Sequence, residues 1–144
     1  MSSATPSPAY RRIPGPIDAI IRAIVRLGLM PRTYLLVTKG VRSGKRRTTP
    51  VTLVEDEGRW LVAPYGVRPW VRNVRAGRTG RLLRGRHRLD VRFEEVDADL
   101  AAPVLQRYWQ QVPLTRPYFD VGTNPELADF RRVAPAHPVF RVIG

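Results

Sequence analysis

The sequence predicts a mainly β protein with helices, an α+β fold in which about six short strands form a small antiparallel barrel. Two observations predict this fold. Short segments in which apolar and polar residues alternate recur along the chain and are separated by Gly, Pro, Asp or Asn. Helical periodicity is confined to a few separate stretches. The 144 residues, 43% of them hydrophobic, suffice for one domain with a modest core.

The N-terminal segment divides into a tail and a helix. Residues 1–12 are rich in Ser, Pro and Ala and predict a flexible tail, so the single domain spans 13–144. Beyond Pro16 a helix is predicted whose apolar face consists of Ile17, Ile20, Ile21, Ile24 and Leu27. Three interpretations remain open: this face packs on the core, it covers a pocket, or residues 13–29 lie on a membrane surface.

Three strands are predicted next. Residues 33–39 and 48–55 are rich in β-branched and aromatic side chains, and they flank a basic loop at 40–46. The Asp-Glu-Gly sequence at 56–58 is typical of a turn, and it leads into a third strand at 59–65. The second and third strands are therefore predicted to form a hairpin.

A short helical turn and a second hairpin follow. The helical turn is predicted at 69–76 and ends at Gly77. Residues 81–84 and 87–96 are predicted to pair around Gly85. In the second arm, apolar Leu, Val and Phe alternate with charged residues, which indicates one face on the core and one in water.

The last third of the chain is predicted to hold two helices and the closing strand. Asp97 or Asp99 can cap a helix that runs to about Gln111. The remaining segments are irregular chain at 113–124, a short helix at 125–133 and a strand at 139–143.

Composition excludes several function classes. Without cysteine the chain has no disulfide, no thiolate zinc site and no cysteine nucleophile. Two histidines and four serines, three of the serines in the tail, give neither a metal cluster nor a hydrolase triad. The N-terminus does not resemble a secretory signal and no apolar stretch is long enough to span a bilayer, so we expect a cytoplasmic protein, with membrane-surface association left open.

The positive charge is concentrated in two blocks. The formal net charge is +13, of which residues 32–47 carry +6 and residues 59–92 carry +9. Such a balance suits nucleic acid, an anionic membrane or an anionic small molecule. The arginines of the second block straddle Gly77 and Gly80, so they form no single helical stripe, and they lack an accompanying set of stacking aromatics. Nucleic acid is therefore not the expected partner.

The basic loop predicts an anion site. Residues 39–47 (KGVRSGKRR) hold two glycines, one hydroxyl and five cations between two strands. Glycines let backbone amides approach an anion closely, and arginine binds phosphate oxygens in pairs. The loop is not a nucleotide P-loop, because only three residues separate Gly40 from Gly44, and Arg46 stands where Ser or Thr would hold magnesium. An exposed basic hairpin loop is the alternative.

A second motif lies on the predicted helical turn. Trp70, Asn73 and Val74 share one side of this turn, just after a Pro-Tyr-Gly sequence at 64–66 that follows a strand. The arrangement brings an aromatic ring, an amide and cations to the end of a strand. Simple packing of Trp70 on the core is the alternative.

At these residues the sequence resembles the deazaflavin-dependent nitroreductase family, small actinobacterial split-barrel proteins that bind coenzyme F420. The segments that carry the resemblance are 38–50 (TKGVRSGKRRTTP), 70–76 (WVRNVRA), 117–120 (PYFD) and 137–140 (HPVF). It covers residues 16–143 in the expected order. The resemblance implies a split β-barrel and coenzyme F420 as cofactor, with FMN as the less favoured alternative.

The resemblance also implies a site. The residues implied are Arg42, Ser43, Gly44 and Arg47 at the phosphate and acidic tail; Thr48, Thr49, Pro50 and Val51 along the cofactor's side chain; Ala63, Pro64 and Tyr65 at one side of the deazaflavin ring; and Trp70, Val71, Arg72 and Asn73 at the other. Tyr118 matches a family aromatic near the substrate, where its phenol donates a proton or simply packs.

The implied activity is hydride transfer. The reduced deazaflavin would pass a hydride to an activated alkene, quinone or nitro compound, a hydrophobic small molecule, while the protein positions the two partners. A carrier for a deazaflavin, a flavin or a lipid is the alternative, and a homodimer is left open.

Overall fold

The described part of the computed structural model, residues 32–144, contains a closed antiparallel barrel. Its strands are β1 (Thr33–Lys39), β2 (Arg46–Glu55), β3 (Arg59–Val62), β4 (Thr79–Arg84), β5 (His87–Glu95) and β6 (Val139–Ile143). The order around the barrel is β1-β2-β3-β6-β5-β4, and β1 pairs with β4 to close it. The predicted α+β barrel of six strands is confirmed. The predicted tail at 1–12, the apolar helix and the membrane contact of 13–29 lie outside the described residues.

Three α-helices accompany the barrel in residues 32–144: α1 (Pro69–Gly77), α2 (Ala98–Gln111) and α3 (Leu127–Val133). Of the two predicted caps, Asp97 starts α2, where its carboxylate accepts a hydrogen bond from the Leu100 N–H at 3.0 Å. None of the helices in this part of the chain is long and apolar enough to cross a membrane.

The buried side chains form two clusters. One fills the barrel and includes Leu36, Leu61 and Phe140, with Trp70 of α1 packed into it. The other lies between the barrel and the two later helices, around Leu105 and Phe130. The barrel wall is therefore covered on the side of α2 and α3, while α1 closes one end of the interior.

Strand ends differ from the sequence prediction by a few residues. Strand β2 begins at Arg46 rather than at 48, because Arg46 and Arg47 pair with Lys39 and Thr38 in the ladder. Strand β3 ends at Val62 rather than at 65, where the chain turns and the Gly66 N–H donates to the Ala63 carbonyl at 3.3 Å. The stretch predicted as irregular holds a 3-10 helix at Pro113–Tyr118, and a second lies at Ala134–Ala136.

Candidate functional site

The loop between β1 and β2 is held closed by its own backbone. The Gly40 N–H donates to the Lys45 carbonyl at 2.7 Å, and the Gly44 N–H donates to the Gly40 carbonyl at 3.0 Å. The Ser43 Oγ accepts from the Lys45 N–H at 3.1 Å. A Cβ at Gly40 would lie 2.7 Å from the Ser43 Oγ, so a side chain there requires the hydroxyl to move from its place in this turn. Gly44 has a φ of +69°, which also favours glycine.

Buried Asn73 fastens this loop to α1. Its Oδ1 accepts from the Val41 N–H at 3.1 Å, and its Nδ2 donates to the Thr38 Oγ1 at 3.2 Å. Asn73 and Thr38 are only 7% and 4% exposed. The amide predicted from the sequence to border the cofactor ring is thus engaged in holding the loop, and its position fixes the loop relative to α1.

The cations of the loop point into solvent. Arg42, Lys45, Arg46 and Arg47 are exposed. The ion pairs between residues of the described part of the chain involve other arginines. Four positive charges around a closed loop with small residues can bind a phosphate or carboxylates.

A cavity of about 350 Å³ lies beside the middle of β2. Six of the residues predicted as cofactor contacts line it: Thr49, Pro50, Val51, Pro64, Tyr65 and Trp70. Its volume falls in the range of small-molecule sites. Leu114, an exposed apolar residue, lies at its edge.

Strand β2 connects the cavity to the loop. Arg47 pairs with Thr38 at the loop end of the strand, and Val51 lines the cavity. Four residues of extended chain span ~13 Å. One ligand with an aromatic end and an anionic end can therefore contact both places.

Among the polar residues of the same cavity that the sequence did not single out are Arg68, Tyr108 and Gln111. Burial raises the pKa of Tyr108, against the opposing effect of its hydrogen bond with Thr115, so the phenol is neutral at physiological pH. Arg68 is 7% exposed. A signal was available, since Arg68 is the N-cap of α1, where a cation opposes the helix dipole. Tyr108 and Gln111 lie three apart, on one face of the predicted helix.

The other predicted cofactor contacts outside the loop are not among the residues that line this cavity. Ala63 and Val71 are 1% and 0% exposed, so their side chains belong to the barrel core. Arg72 is exposed on α1, and Thr48 is half-buried in β2. Tyr118 packs edge-on against Tyr65, with ring centroids 5.0 Å apart, and Tyr65 rather than Tyr118 is among the described residues that line the cavity.

His137 lies under the turn that carries Pro64 and Tyr65. Its ring stacks on Phe119 at 4.1 Å, and its Nδ1 is 3.3 Å from the Ala63 carbonyl oxygen. Burial lowers the pKa of His137, although hydrogen bonds with the backbone of Ala63 and Pro64 oppose the shift. The histidine supports the turn by packing. In residues 32–144 no cluster of ligating side chains could hold a metal ion.

Solved structures share this fold. The chain is similar to an F420-H2 dependent reductase, FDR-A, with a TM-score of 0.55 and 22% identity over 78% of this chain and 94% of that one. A structure described as a domain-swapped dimer gives a TM-score of 0.55 and 22% identity over 94% and 99% of the two chains. A Clostridium acetobutylicum protein related to general stress protein 26, of the pyridoxinephosphate oxidase family, gives 0.55 and 12% over 88% and 84%. The fold is therefore that of the split β-barrels.

The sequence identifies the family within this class. Residues 17–126 match the F420H(2)-dependent quinone reductase family, and the chain belongs to it. None of the curated proteins matches the sequence significantly. The protein is an F420-dependent reductase, and the expected cofactor is confirmed.

The described residues fit this cofactor. Coenzyme F420 joins an aromatic deazaflavin to a phosphate and an acidic tail, and the structure offers an aromatic-lined cavity and a cationic loop at the two ends of one stretch of β2. The closed loop passes close to Gly40, where a Cβ would lie 2.7 Å from the Ser43 Oγ.

Proposed function

We propose that the protein reduces a hydrophobic quinone with a hydride from reduced coenzyme F420. Activated alkenes and nitro compounds are further acceptors of the same chemistry. The observation that carries this proposal is the cavity beside β2. It lies about as far from the cationic loop as the deazaflavin ring lies from the phosphate within the cofactor. The family match supports quinone as the first substrate class to test.

We assign the loop the role of an anchor. Arg42, Ser43, Gly44 and Arg47 bind the phosphate and acidic tail, and Thr48 and Thr49 lie along the chain that leads to the ring. The Ser43 hydroxyl accepts from the Lys45 N–H and keeps its own hydrogen for an anion. Asn73 keeps the loop in place from below.

We assign the cavity the roles of orienting the two reactants and excluding water. Pro50, Val51 and Trp70 supply apolar walls, and exposed Leu114 at the edge suits a hydrophobic substrate. When bound, reduced F420 supplies the hydride from its ring carbon. A quinone that takes up this hydride and one proton becomes a hydroquinone.

We propose that Tyr65, one of two phenols among the described residues that line the cavity, passes that proton, because the other, Tyr108, is buried and hydrogen-bonded with Thr115. The Tyr65 ring contacts Tyr118, the residue predicted as proton donor. We propose that Tyr118 acts through this contact by holding the Tyr65 ring. A solvent proton is the alternative source. Comparison of Tyr65→Phe with Tyr118→Phe separates the two sources, because both variants stay active if the proton comes from solvent.

The test has a binding stage and a turnover stage. In a fluorescence titration at low salt we expect saturable binding of F420, which Arg47→Ala weakens about tenfold or more because a charge-assisted contact is lost. Arg86→Ala, an exposed arginine in the β4–β5 turn, is the matched control. Absence of saturable binding would overturn the proposal.

Turnover separates a reductase from a carrier. Reduced F420 bound to the protein is mixed with a quinone, an enone and a nitroarene, and its oxidation is followed by absorbance in a single turnover. We expect quinone to accelerate oxidation over the rate without protein. Binding without acceleration for any acceptor would favour the carrier.

One similar structure is a domain-swapped dimer, so we propose a homodimer, which light scattering of the full chain tests. We propose that the protein works in the cytoplasm, where any membrane contact would involve the segment 13–29.

A further inference from the structure

The most exposed of the large apolar side chains in residues 32–144 lies at the edge of the cavity beside β2. Four such side chains are exposed in this part of the protein, and Leu114, at 85%, is exposed furthest. It is also the one of the four that lines the cavity. A single exposed leucine is ordinary on a protein surface. Leu114 differs from the other three because it lies where the wall of the cavity meets solvent.

The fold holds the backbone around Leu114 in place. The residue lies in the 3-10 helix Pro113–Tyr118, and its neighbour Thr115 is buried. Arg116 joins this helix to α2, because its Nε donates to the Trp109 carbonyl at 2.8 Å and its guanidinium lies over the Trp109 ring at 4.2 Å. The exposed leucine is therefore carried by a braced turn at the edge of the cavity.

The volume of the cavity limits what it can enclose. Pockets that hold one drug-sized ligand measure ~300–1,000 Å³. This cavity, with about 350 Å³, is at the low end of that range. Under the proposed function it takes the deazaflavin ring and the head group of a quinone, so a hydrocarbon chain on that head group has to leave the cavity. A chain that leaves beside Leu114 meets an apolar side chain instead of water.

We propose that Leu114 is a specificity-determining residue that contacts the hydrocarbon chain of the substrate, so that the preferred acceptor is a quinone with such a chain. This inference rests on the proposed function, because it places the quinone head group in the cavity beside β2. Full burial of one methylene group strengthens binding ~4-fold. A contact that covers part of the leucine and part of the chain should therefore give about tenfold. Carbons beyond the reach of one leucine stay in water and add little.

The test is an equilibrium titration without turnover. Full-length protein saturated with oxidised F420 is titrated with 1,4-naphthoquinones that carry an unbranched alkyl chain of one, five or ten carbons. Quenching of the deazaflavin fluorescence gives the dissociation constants. For wild type we expect the affinity to rise about tenfold from one to five carbons, and much less per carbon from five to ten.

Leu114→Ser separates the chain contact from binding of the head group. It should lose most of the affinity that the five-carbon chain adds, and it should bind the one-carbon quinone within about twofold of wild type. Leu114→Met, which keeps an apolar side chain of similar size, should keep the added affinity. Leu100→Ser makes the same change at an exposed leucine of α2 that does not line the cavity, and it should behave as wild type. Thermal unfolding verifies that the variants fold.

Two results would overturn the inference. Equal losses of affinity for the one-carbon and five-carbon quinones in Leu114→Ser would mean that the residue shapes the head-group site. Undiminished chain dependence in Leu114→Ser would mean that the chain does not contact Leu114. Co-sedimentation with phosphatidylglycerol vesicles then shows whether Leu114 is a membrane contact instead, because Leu114→Ser would bind the vesicles more weakly than wild type.

The proposed function is tested separately in the same samples. Reduced F420 bound to each protein is mixed with the one-carbon quinone, and its oxidation is followed in a single turnover. If wild type accelerates this oxidation while the longer chain adds no affinity, the inference fails and the proposed function stands. If F420 does not bind, or if no quinone accelerates its oxidation, both fail.

Discussion

Asn73 joins three parts of the molecule through one amide. Asn73 lies on α1. It accepts a hydrogen bond from the Val41 N–H of the β1–β2 loop and donates one to Thr38 at the end of β1. Because the amide both accepts and donates, no other side chain of its size replaces it. The geometry of the loop therefore depends on a residue that is 7% exposed and has its polar atoms engaged by the protein.

Asn73→Ala should lower both stability and cofactor affinity. The loss of two buried hydrogen bonds should reduce the free energy of unfolding by ~1–3 kcal/mol, and the freed loop should bind F420 about tenfold more weakly. Thr38→Val is the matched control, because it breaks the Thr38 bond and leaves the Val41 bond intact. It should cost stability with little change in affinity. Denaturant unfolding and fluorescence titration measure the two effects, and equal losses of affinity in both variants would refute a positioning role.

His137 should make stability depend on pH. Burial lowers the pKa of His137 in the folded state, so the unfolded chain, with a histidine pKa near 6.5, binds the proton more readily. The stability contributed by neutral His137 is present above about pH 6.5 and is lost as the pH falls below this value. The free energy of unfolding should fall with a slope of at most ~1.4 kcal/mol per pH unit.

Urea unfolding between pH 5.5 and 7.5 measures this slope. His137→Gln should flatten it even though the loss of the Phe119 stack lowers stability overall. His87→Gln, at an exposed position in β5, should leave the slope as in wild type. If His137→Gln keeps the wild-type slope, the pH dependence of the free energy of unfolding comes from other groups.

The functional residues could be predicted from the sequence only where they lie close together in the chain. The sequence indicated the cationic loop and Trp70 because glycines, charges and an aromatic stand within a few positions. Arg68 and Gln111 are far apart in sequence, and only the folded chain brings both to the wall of one cavity. Asn73 was predicted as a ligand contact, and its bonds to Val41 and Thr38 depend on the register of β1 and β2, which the sequence does not specify.

At the scale of the elements, the alternation of apolar and polar residues predicted which segments are strands. Contacts between distant parts of the chain determine where the strands end. Strand β3 ends where the Ala63 N–H pairs with the Pro138 carbonyl at 2.9 Å, a contact between distant parts of the chain. The early start of β2 has the same cause, since Arg46 and Arg47 are drawn into the ladder by β1. The turn after β3 and the loop before β2 together frame the two ends of the site.

The β1–β2 loop should not tolerate a side chain at Gly40. The Cβ of Gly40→Ala would lie 2.7 Å from the Ser43 Oγ and 3.3 Å from the Lys45 carbonyl oxygen, so the hydroxyl must turn away from its present position. We expect F420 affinity to fall about tenfold, since a loop that has lost its closure presents its donors poorly. Isothermal titration measures the change.

Gly77→Ala is the control for this element. A Cβ at Gly77, at the end of α1, meets nothing within 4 Å. Affinity should stay as in wild type. If Gly40→Ala binds as tightly as Gly77→Ala, the closed form of the loop is not required for binding.

At the scale of the whole molecule, several positive charges lie beside the β1–β2 loop. An open groove on the barrel wall is lined by Lys39, Arg46, Arg81, Arg88 and Arg92. Two of these residues, Lys39 and Arg46, pair with each other at the base of the β1–β2 loop. Arg81 is paired with Asp90 at 2.7 Å, while Arg88 and Arg92 are exposed. Three arginines of the +9 block, two of them exposed, therefore line the same groove as residues at the base of the β1–β2 loop.

This arrangement should accelerate binding by electrostatic steering. Arg88→Glu should lower the association rate constant for F420 at low salt several-fold, and both proteins should converge as salt rises, because screening removes the long-range field. Arg107→Glu makes the same change in net charge near Asp56, at the far end of β2 from the loop, and should have a much smaller effect. Stopped-flow fluorescence at several ionic strengths measures the rates. Equal slowing in the two variants would mean that net charge alone steers the cofactor, and no slowing in either would mean that the groove has no part in capture.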